Sequence, residues 1–170
     1  DALAALRSVR AQAAKFGLRA DAIGIMGSSA GGHLAAHALT AWGTYPSEVS
    51  LRPDFGILCY PVMTMVGPHA HVGSRSNLLG PEATPAQIEA VCCERLVSST
   101  TPPCFIWHTV ADEGVPVENS LMFAAALRQH RVAFELHLYA KGRHGLGLDT
   151  DFGWEDTCLR WLRQTLGSAR

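Results

Sequence analysis

The sequence predicts a single α/β domain over residues 1–170, with a parallel sheet of about four strands and flanking helices. Three observations carry that expectation. Four short apolar runs begin near Ile23, Phe55, Cys104 and Phe134. Between and after them lie segments whose apolar residues recur at three- and four-residue steps. Gly and Pro punctuate the junctions, as at Gly27, Gly31, Pro102 and Pro103. Strands alternating with helices favour a parallel sheet joined by right-handed crossovers.

Taken in order, Leu3, Leu6, Val9, Ala13 and Phe16 mark an amphipathic helix, and Gly17 suits its C-cap. Ile23–Met26 is a wholly apolar strand, the kind buried on both faces of a parallel sheet. Gly27 to Gly32 form a tight turn, and His33 to Trp42 the next helix. A second strand runs from Phe55 to about Val62. In the long connection from Met63 to Pro103, Thr84-Pro85-Ala86-Gln87 spells a capping box with Pro at the first helical position. A helix over about Pro85 to Cys93 is therefore expected. The third strand is Cys104 to Val110. Val117 to His130 is a helix with Leu121, Ala124, Ala125 and Leu127 facing inward. The fourth strand is Phe134 to Tyr139. The last helix, about Trp154 to Leu166, sets Trp154, Cys158, Trp161 or Leu162, and Thr165 or Leu166 on one stripe.

Composition narrows the function. The 170 residues hold 14 Lys+Arg against 15 Asp+Glu, for a formal net charge of −1. That balance lacks the basic excess an electrostatic nucleic-acid binder needs. No apolar run approaches the ~20 residues required to cross a bilayer. The apolar fraction of 48 % with only 17 % charged residues argues for a packed core, and the low charge for surface buried against a partner. Five cysteines, two of them adjacent (Cys92 and Cys93), show no framework spacing and no CxxC pair, so they are expected as buried free thiols. The chain opens at Asp1 within what reads as a helix, without a Met or a signal peptide, which points to a fragment or a processed chain.

Three loops, each after a separate strand, carry candidate chemistry. Gly27-Ser28-Ser29-Ala30-Gly31 is a G-x-S-x-G between a strand and a helix. A nucleophilic Ser must stand exposed on a sharp, strained turn, and the flanking glycines remove side chains that would clash there. The helix that follows aims N–H groups at a developing oxyanion, with the Ala30 N–H nearest. Outside such a context the same residues make an ordinary Gly-rich turn. Asp112 follows the third strand, where a triad acid would hold an imidazole in the right tautomer; helix capping is the alternative. His144 lies in Lys141-Gly142-Arg143-His144-Gly145, where it can reach over the sheet edge toward a Ser; a solvated loop His is the alternative. The chain order Ser29, Asp112, His144 is that of hydrolases with a nucleophile elbow.

The other histidines read more plainly. His33 and His37 are four apart but lack a HExxH glutamate, so no metal site is expected. His69 and His71 read as solvated, and His108 as packed or hydrogen-bonded beneath a loop. The glycines of Gly142 to Gly147 fit no dinucleotide fingerprint.

At this point the sequence resembles the α/β-hydrolase-fold esterases of the acetyl esterase and acetyl xylan esterase type. The resemblance rests on Ile23-Gly24-Ile25-Met26-Gly27-Ser28-Ser29-Ala30-Gly31-Gly32-His33-Leu34-Ala35 and on Tyr60-Pro61-Val62. It extends to Gly73-Ser74-Arg75-Ser76-Asn77-Leu78-Leu79-Gly80, to Pro102-Pro103, to Asp112 with Pro116-Val117-Glu118-Asn119-Ser120, and to His144-Gly145-Leu146-Gly147-Leu148. It implies an α/β-hydrolase-like sheet truncated to about four strands. It also implies a serine esterase with Ser29 as nucleophile, Asp112 as acid, His144 as base and Ala30 N–H in the oxyanion hole. The chemistry implied is hydrolysis of short acyl esters, acetyl groups on carbohydrate among them, without metal or organic cofactor. Ser28, Met63 and Val115 are the expected pocket residues. A serine peptidase of the same fold and a non-catalytic scaffold are the alternatives.

Members of that family carry earlier strands and a Gly-rich loop supplying a second oxyanion N–H. No HGG or GGG occurs here. The resemblance therefore implies turnover lower by on the order of 10²–10³ than in a complete relative. It also implies that the Ile23–Met26 strand is an exposed edge, through which a homodimer or higher oligomer would form.

Overall fold

The computed structural model describes residues 1–167. Four parallel strands, β1 (Ile25–Ser28), β2 (Gly56–Cys59), β3 (Cys104–Thr109) and β4 (Phe134–Tyr139), lie side by side in chain order. Among the described residues the α-helices are α1 (Ala2–Ala11), α2 (Ser29–Ala41), α3 (Val72–Leu79), α4 (Pro85–Glu89), α5 (Cys93–Leu96), α6 (Glu118–Gln129) and α7 (Trp154–Gly167). No helix among the described residues is long and apolar enough to cross a membrane.

The two central strands are buried at every residue, as their unbroken apolar sequences require. Their side chains alternate between two cores. Leu58, Cys104 and Ile106 meet α2, α5 and α6 through Ala35, Leu39, Cys93, Phe123 and Leu127. Ile57, Cys59, Phe105 and Trp107 meet α7 through Trp154, Cys158 and Trp161. The register pairs Leu58 with Ile106 and Cys59 with Trp107, so equivalent layers stack across the sheet. All five thiols are buried and unpaired. Burial pushes Cys59 and Cys158 up to about 11 and Cys104 up to about 12, which leaves none of these three as a thiolate near neutrality.

Several boundaries differ from the sequence reading, each for a local reason. Among the described residues β1 is an edge strand, as the resemblance implied, and it is not buried on both faces: Met26 is 55 % exposed. Ile23 and Gly24 run beside Asp54 and Phe55, with the Asp54 N–H donating to the Ile23 carbonyl, but the regular ladder begins two residues later. β2 ends at Cys59 because Tyr60 turns into the left-handed region, φ 36°. The capping box at Thr84 is present with both of its hydrogen bonds. Its helix nevertheless stops at Glu89, because the Val91 carbonyl bonds His33 Nε2 and the Cys93 N–H donates to the Met63 carbonyl.

In α6 the buried stripe is Asn119, Ser120, Phe123, Ala124 and Leu127, whereas Leu121 and Ala125 are exposed. Two polar residues take inward positions because they have partners there. Asn119 Oδ1 accepts from the Met63 and Thr64 N–H groups, and Ser120 bonds His108. Helix α3 was not expected at all. Its N-cap is an imidazole, His71 Nδ1, accepting from the Ser74 N–H.

Candidate functional site

In a parallel sheet every strand delivers its C-terminal residue to the same edge. Here that edge receives Ser29 after β1, Tyr60 after β2, Asp112 after β3 and His144 after β4. Ser29 has φ 54°, a left-handed conformation that is strained for any side chain, and it is the first residue of α2. The turn that allows this depends on Gly27. A Cβ there would fall 2.0 Å from the Gly31 carbonyl oxygen and 2.5 Å from its carbon. The sequence reading gave Gly31 the same steric duty, and the structure does not: a Cβ on Gly31 meets nothing within 4 Å. The second tight glycine is Gly32, whose Cβ would sit 2.7 Å from the Pro61 side chain.

The three side chains picked from distant loops meet. Ser29 Oγ lies 2.7 Å from His144 Nε2, and His144 Nδ1 lies 2.7 Å from Asp112 Oδ2. The second carboxylate oxygen accepts from the Gly114 N–H at 2.8 Å and the Val115 N–H at 2.9 Å. Burial pushes the Asp112 carboxyl up, but the Val115 N–H, the His144 imidazole and the Gly114 N–H together outweigh it and hold the group below its ordinary value. It is thus a carboxylate at neutral pH, aimed at the imidazole. With Asp112 as acceptor, His144 Nδ1 carries the ring proton, and Nε2 is left free to take one from Ser29.

His144 is seated from three sides. The Tyr60 ring stands edge-on to the imidazole at 5.1 Å. Tyr60 Oη accepts from the Gly147 N–H, Thr109 Oγ1 donates to the Gly142 carbonyl, and Trp154 Nε1 donates to the Gly147 carbonyl. Gly114 lies under the ring, where an added Cβ would come within 2.8 Å of His144 Cβ and Cγ. Sequence reasoning missed Tyr60 and Gly114 as parts of the site. A residue next to Asp112 in Asp112-Glu113-Gly114 was visible, but nothing local shows that an imidazole 30 residues away will rest on it.

Of the remaining candidates, Ala30 is exposed, and its N–H belongs to the first turn of α2, where no intrahelical acceptor exists. Ser28 is partly exposed beside Ser29. Met63 and Val115 are fully buried, so as pocket residues they are corrected: Met63 belongs to the core around α2 and α6, and Val115 packs with Val62, Met65 and Cys92. Their backbones leave the site edge, but their side chains turn inward because the Asn119 and Asp112 acceptors fix those segments. His71 is not simply solvated, since its imidazole caps α3. His69 keeps a partly exposed imidazole, with Nδ1 3.7 Å from Glu118 Oε2. His33 and His37 lie with ring centroids 6.3 Å apart, and burial lowers both below the usual histidine value.

A parallel sheet with a strained strand-to-helix seryl turn, and with acid and imidazole on later loops, defines an α/β-hydrolase fold. The chain belongs to the prolyl oligopeptidase family, whose model matches residues 1–169. It is 40 % identical over 159 residues to an endo-1,4-beta-xylanase B of Butyrivibrio fibrisolvens, covering 88 % of this chain and 25 % of that protein. It is 35 % identical over 165 residues to an acetylxylan esterase of Xylanibacter ruminicola, covering 92 % of this chain and 33 % of the relative. Among solved structures, the acetyl ester-xyloside bifunctional hydrolase of Caldicellulosiruptor lactoaceticus superposes with a TM-score of 0.90 at 42 % identity. That match covers 98 % of this chain and 64 % of the other. The chain therefore spans between a quarter and two thirds of the length of these relatives.

Proposed function

We propose that this chain carries the catalytic residues of a serine hydrolase acting on short acyl esters, with acetyl groups on carbohydrate as the substrate class. The observation that supports it is the unbroken chain of two 2.7 Å contacts from Ser29 through His144 to Asp112. The named relatives, an acetylxylan esterase and an acetyl ester-xyloside hydrolase, favour the acetyl ester.

In this reading His144 Nε2 takes the Ser29 proton as Oγ attacks the ester carbonyl carbon. The oxyanion that forms is met by the Ala30 N–H. Asp112 stabilises the resulting imidazolium. His144 then passes the proton to the departing alcohol oxygen, the C–O bond breaks, and an acyl-serine remains. Water, deprotonated by the same imidazole, attacks that acyl group, and the proton returns to Ser29 as the acid leaves.

A fluorophosphonate probe tests the assignment. Covalent labelling is expected in the native protein and absent in Ser29→Ala, with circular dichroism unchanged. Labelling that persists in the variant would move the nucleophile elsewhere, and no labelling of folded native protein would favour a non-catalytic scaffold. A peptidase reading is favoured only by the family's description. Comparing p-nitrophenyl acetate with a proline p-nitroanilide separates the two.

We also propose that β1 pairs with the β1 edge of a second copy. In support, β1 has a strand neighbour on one side only among the described residues, and Met26 and Leu34 are both more than half exposed nearby in sequence. An unpaired apolar edge is a template for another strand. Light scattering at micromolar concentration is expected to give a dimer or larger, and a monodisperse monomer would overturn this.

A further inference from the structure

Asp112 has a neighbour that the reaction scheme does not use. His108, on β3, is wholly buried, and its Nε2 lies 3.3 Å from Asp112 Oδ2, the same oxygen that accepts from His144. Nε2 is also 3.0 Å from the Val115 carbonyl, and Nδ1 is 2.8 Å from Ser120 Oγ. Two of those partners, a carboxylate oxygen and a carbonyl oxygen, can only accept. Nε2 must therefore carry the proton, shared between them, and in the neutral ring Nδ1 accepts from the Ser120 hydroxyl.

We propose that His108 is a positioning residue that, held in its Nε2–H form by Ser120, fixes the Asp112 carboxylate in the rotamer that meets His144. This rests on the hydrolase reading above and extends the relay inward to five side chains: Ser29, His144, Asp112, His108 and Ser120. Its logic is electrostatic. An acceptor that is to stabilise a transient imidazolium must keep its negative charge while every other lone pair is occupied, or it will rotate toward whatever donor is nearer. Oδ1 is held by two backbone N–H groups. Oδ2 needs a second donor that brings orientation without charge. A lysine or arginine there would form its own ion pair with Asp112 and weaken its pull on His144. A buried neutral imidazole does neither. Burial lowers His108 below the ordinary histidine value, against the pull of Asp112 and Val115, which keeps the ring neutral. The same requirement explains why two polar residues of α6 face inward. Ser120 belongs to the relay, and Asn119 anchors the helix start that presents it.

The test is a set of variants read on the folded protein. In His108→Leu, kcat for p-nitrophenyl acetate per phosphonate-titrated site is expected to fall roughly 10- to 100-fold with KM within about twofold, the loss of one hydrogen bond to a charged group. His108→Gln places an amide N–H where Nε2–H stood and is expected to restore most of kcat. The low-field proton resonance of His144 Nδ1–H is expected to shift in His108→Leu and in Ser120→Ala. If His108 served packing alone, both substitutions at this position would lower thermal stability while kcat per titrated site stayed at the native value, and the inference would fall. Should the Leu variant not fold, the Ser120→Ala resonance decides alone: an unmoved signal overturns the assignment. That readout needs no substrate. A protein that hydrolyses no ester refutes the proposed function, whereas an unmoved resonance refutes only the role of His108.

Discussion

Asp112→Asn is expected to lower turnover of p-nitrophenyl acetate by about 10⁴-fold with the fold largely intact. The amide oxygen of Asn can still take the Gly114 and Val115 N–H groups that Oδ1 takes now, so the loop keeps its shape. The other end changes sign. Where Oδ2 accepts from His144 Nδ1 at 2.7 Å, an NH₂ group would donate. His144 Nδ1 must then accept, and the ring proton moves to Nε2, which faces Ser29 Oγ at 2.7 Å and can no longer remove its proton. The substrate contacts are untouched, so the loss is expected in kcat rather than KM. Steady-state kinetics beside circular dichroism would check it; a loss below tenfold would show that Asp112 does not set the tautomer.

The second large effect is on stability, and it separates two glycines that look equivalent on paper. Gly27→Ala is expected to cost on the order of 4 kcal/mol or more, enough to unfold a marginal domain. Its Cβ would enter the space of the Gly31 carbonyl and the Gly32 nitrogen, all backbone, in a turn already holding Ser29 at φ 54°. No side chain can rotate away to relieve it. Gly31→Ala is expected to be neutral or to stabilise by up to about 1 kcal/mol. Its Cβ meets open space, and it sits in the first turn of a helix, where Ala is preferred. Thermal melts of the two variants side by side are the measurement. Equal destabilisation would mean that the elbow is not built as described.

Much of this molecule was legible in the sequence. The four strands and β4 to the residue came from apolar run length and Gly/Pro punctuation, and their parallel direction from the alternation of strands with helices. The capping box at Thr84 is a local code and was read as such. Ser29, Asp112 and His144 were found because each follows a strand end, and strand ends in such a sheet share an edge. What stayed hidden depends on contacts far apart in sequence. The inward face of α6 was right at Ala124 and Leu127 but wrong at Leu121 and Ala125, because spacing counts apolar residues and cannot see that Ser120 has a buried histidine to bond. The end of β2 is fixed by the backbone twist at Tyr60, which no propensity for Tyr foretells. The fit of Gly114 beneath His144 joins residues that only the folded sheet brings together. Met63 and Val115 were placed in a pocket by their position beside loops, but hydrogen bonding of their backbones turns their side chains into the core.

Among the described residues β1 and β4 are the two outer strands of the sheet. The hydroxyl departs from one and the imidazole from the other, three inter-strand steps apart, about 14 Å. The loop after β4 has to lean back over the middle of the molecule, and it is tethered there by β3 through Thr109, by the residue after β2 through Tyr60 and by the closing helix through Trp154. On the proposed hydrolase reading, the nucleophile and its base therefore depend on both flanks of the sheet being in place at once, and the rate of ester hydrolysis would be a finer gauge of intactness than helix content.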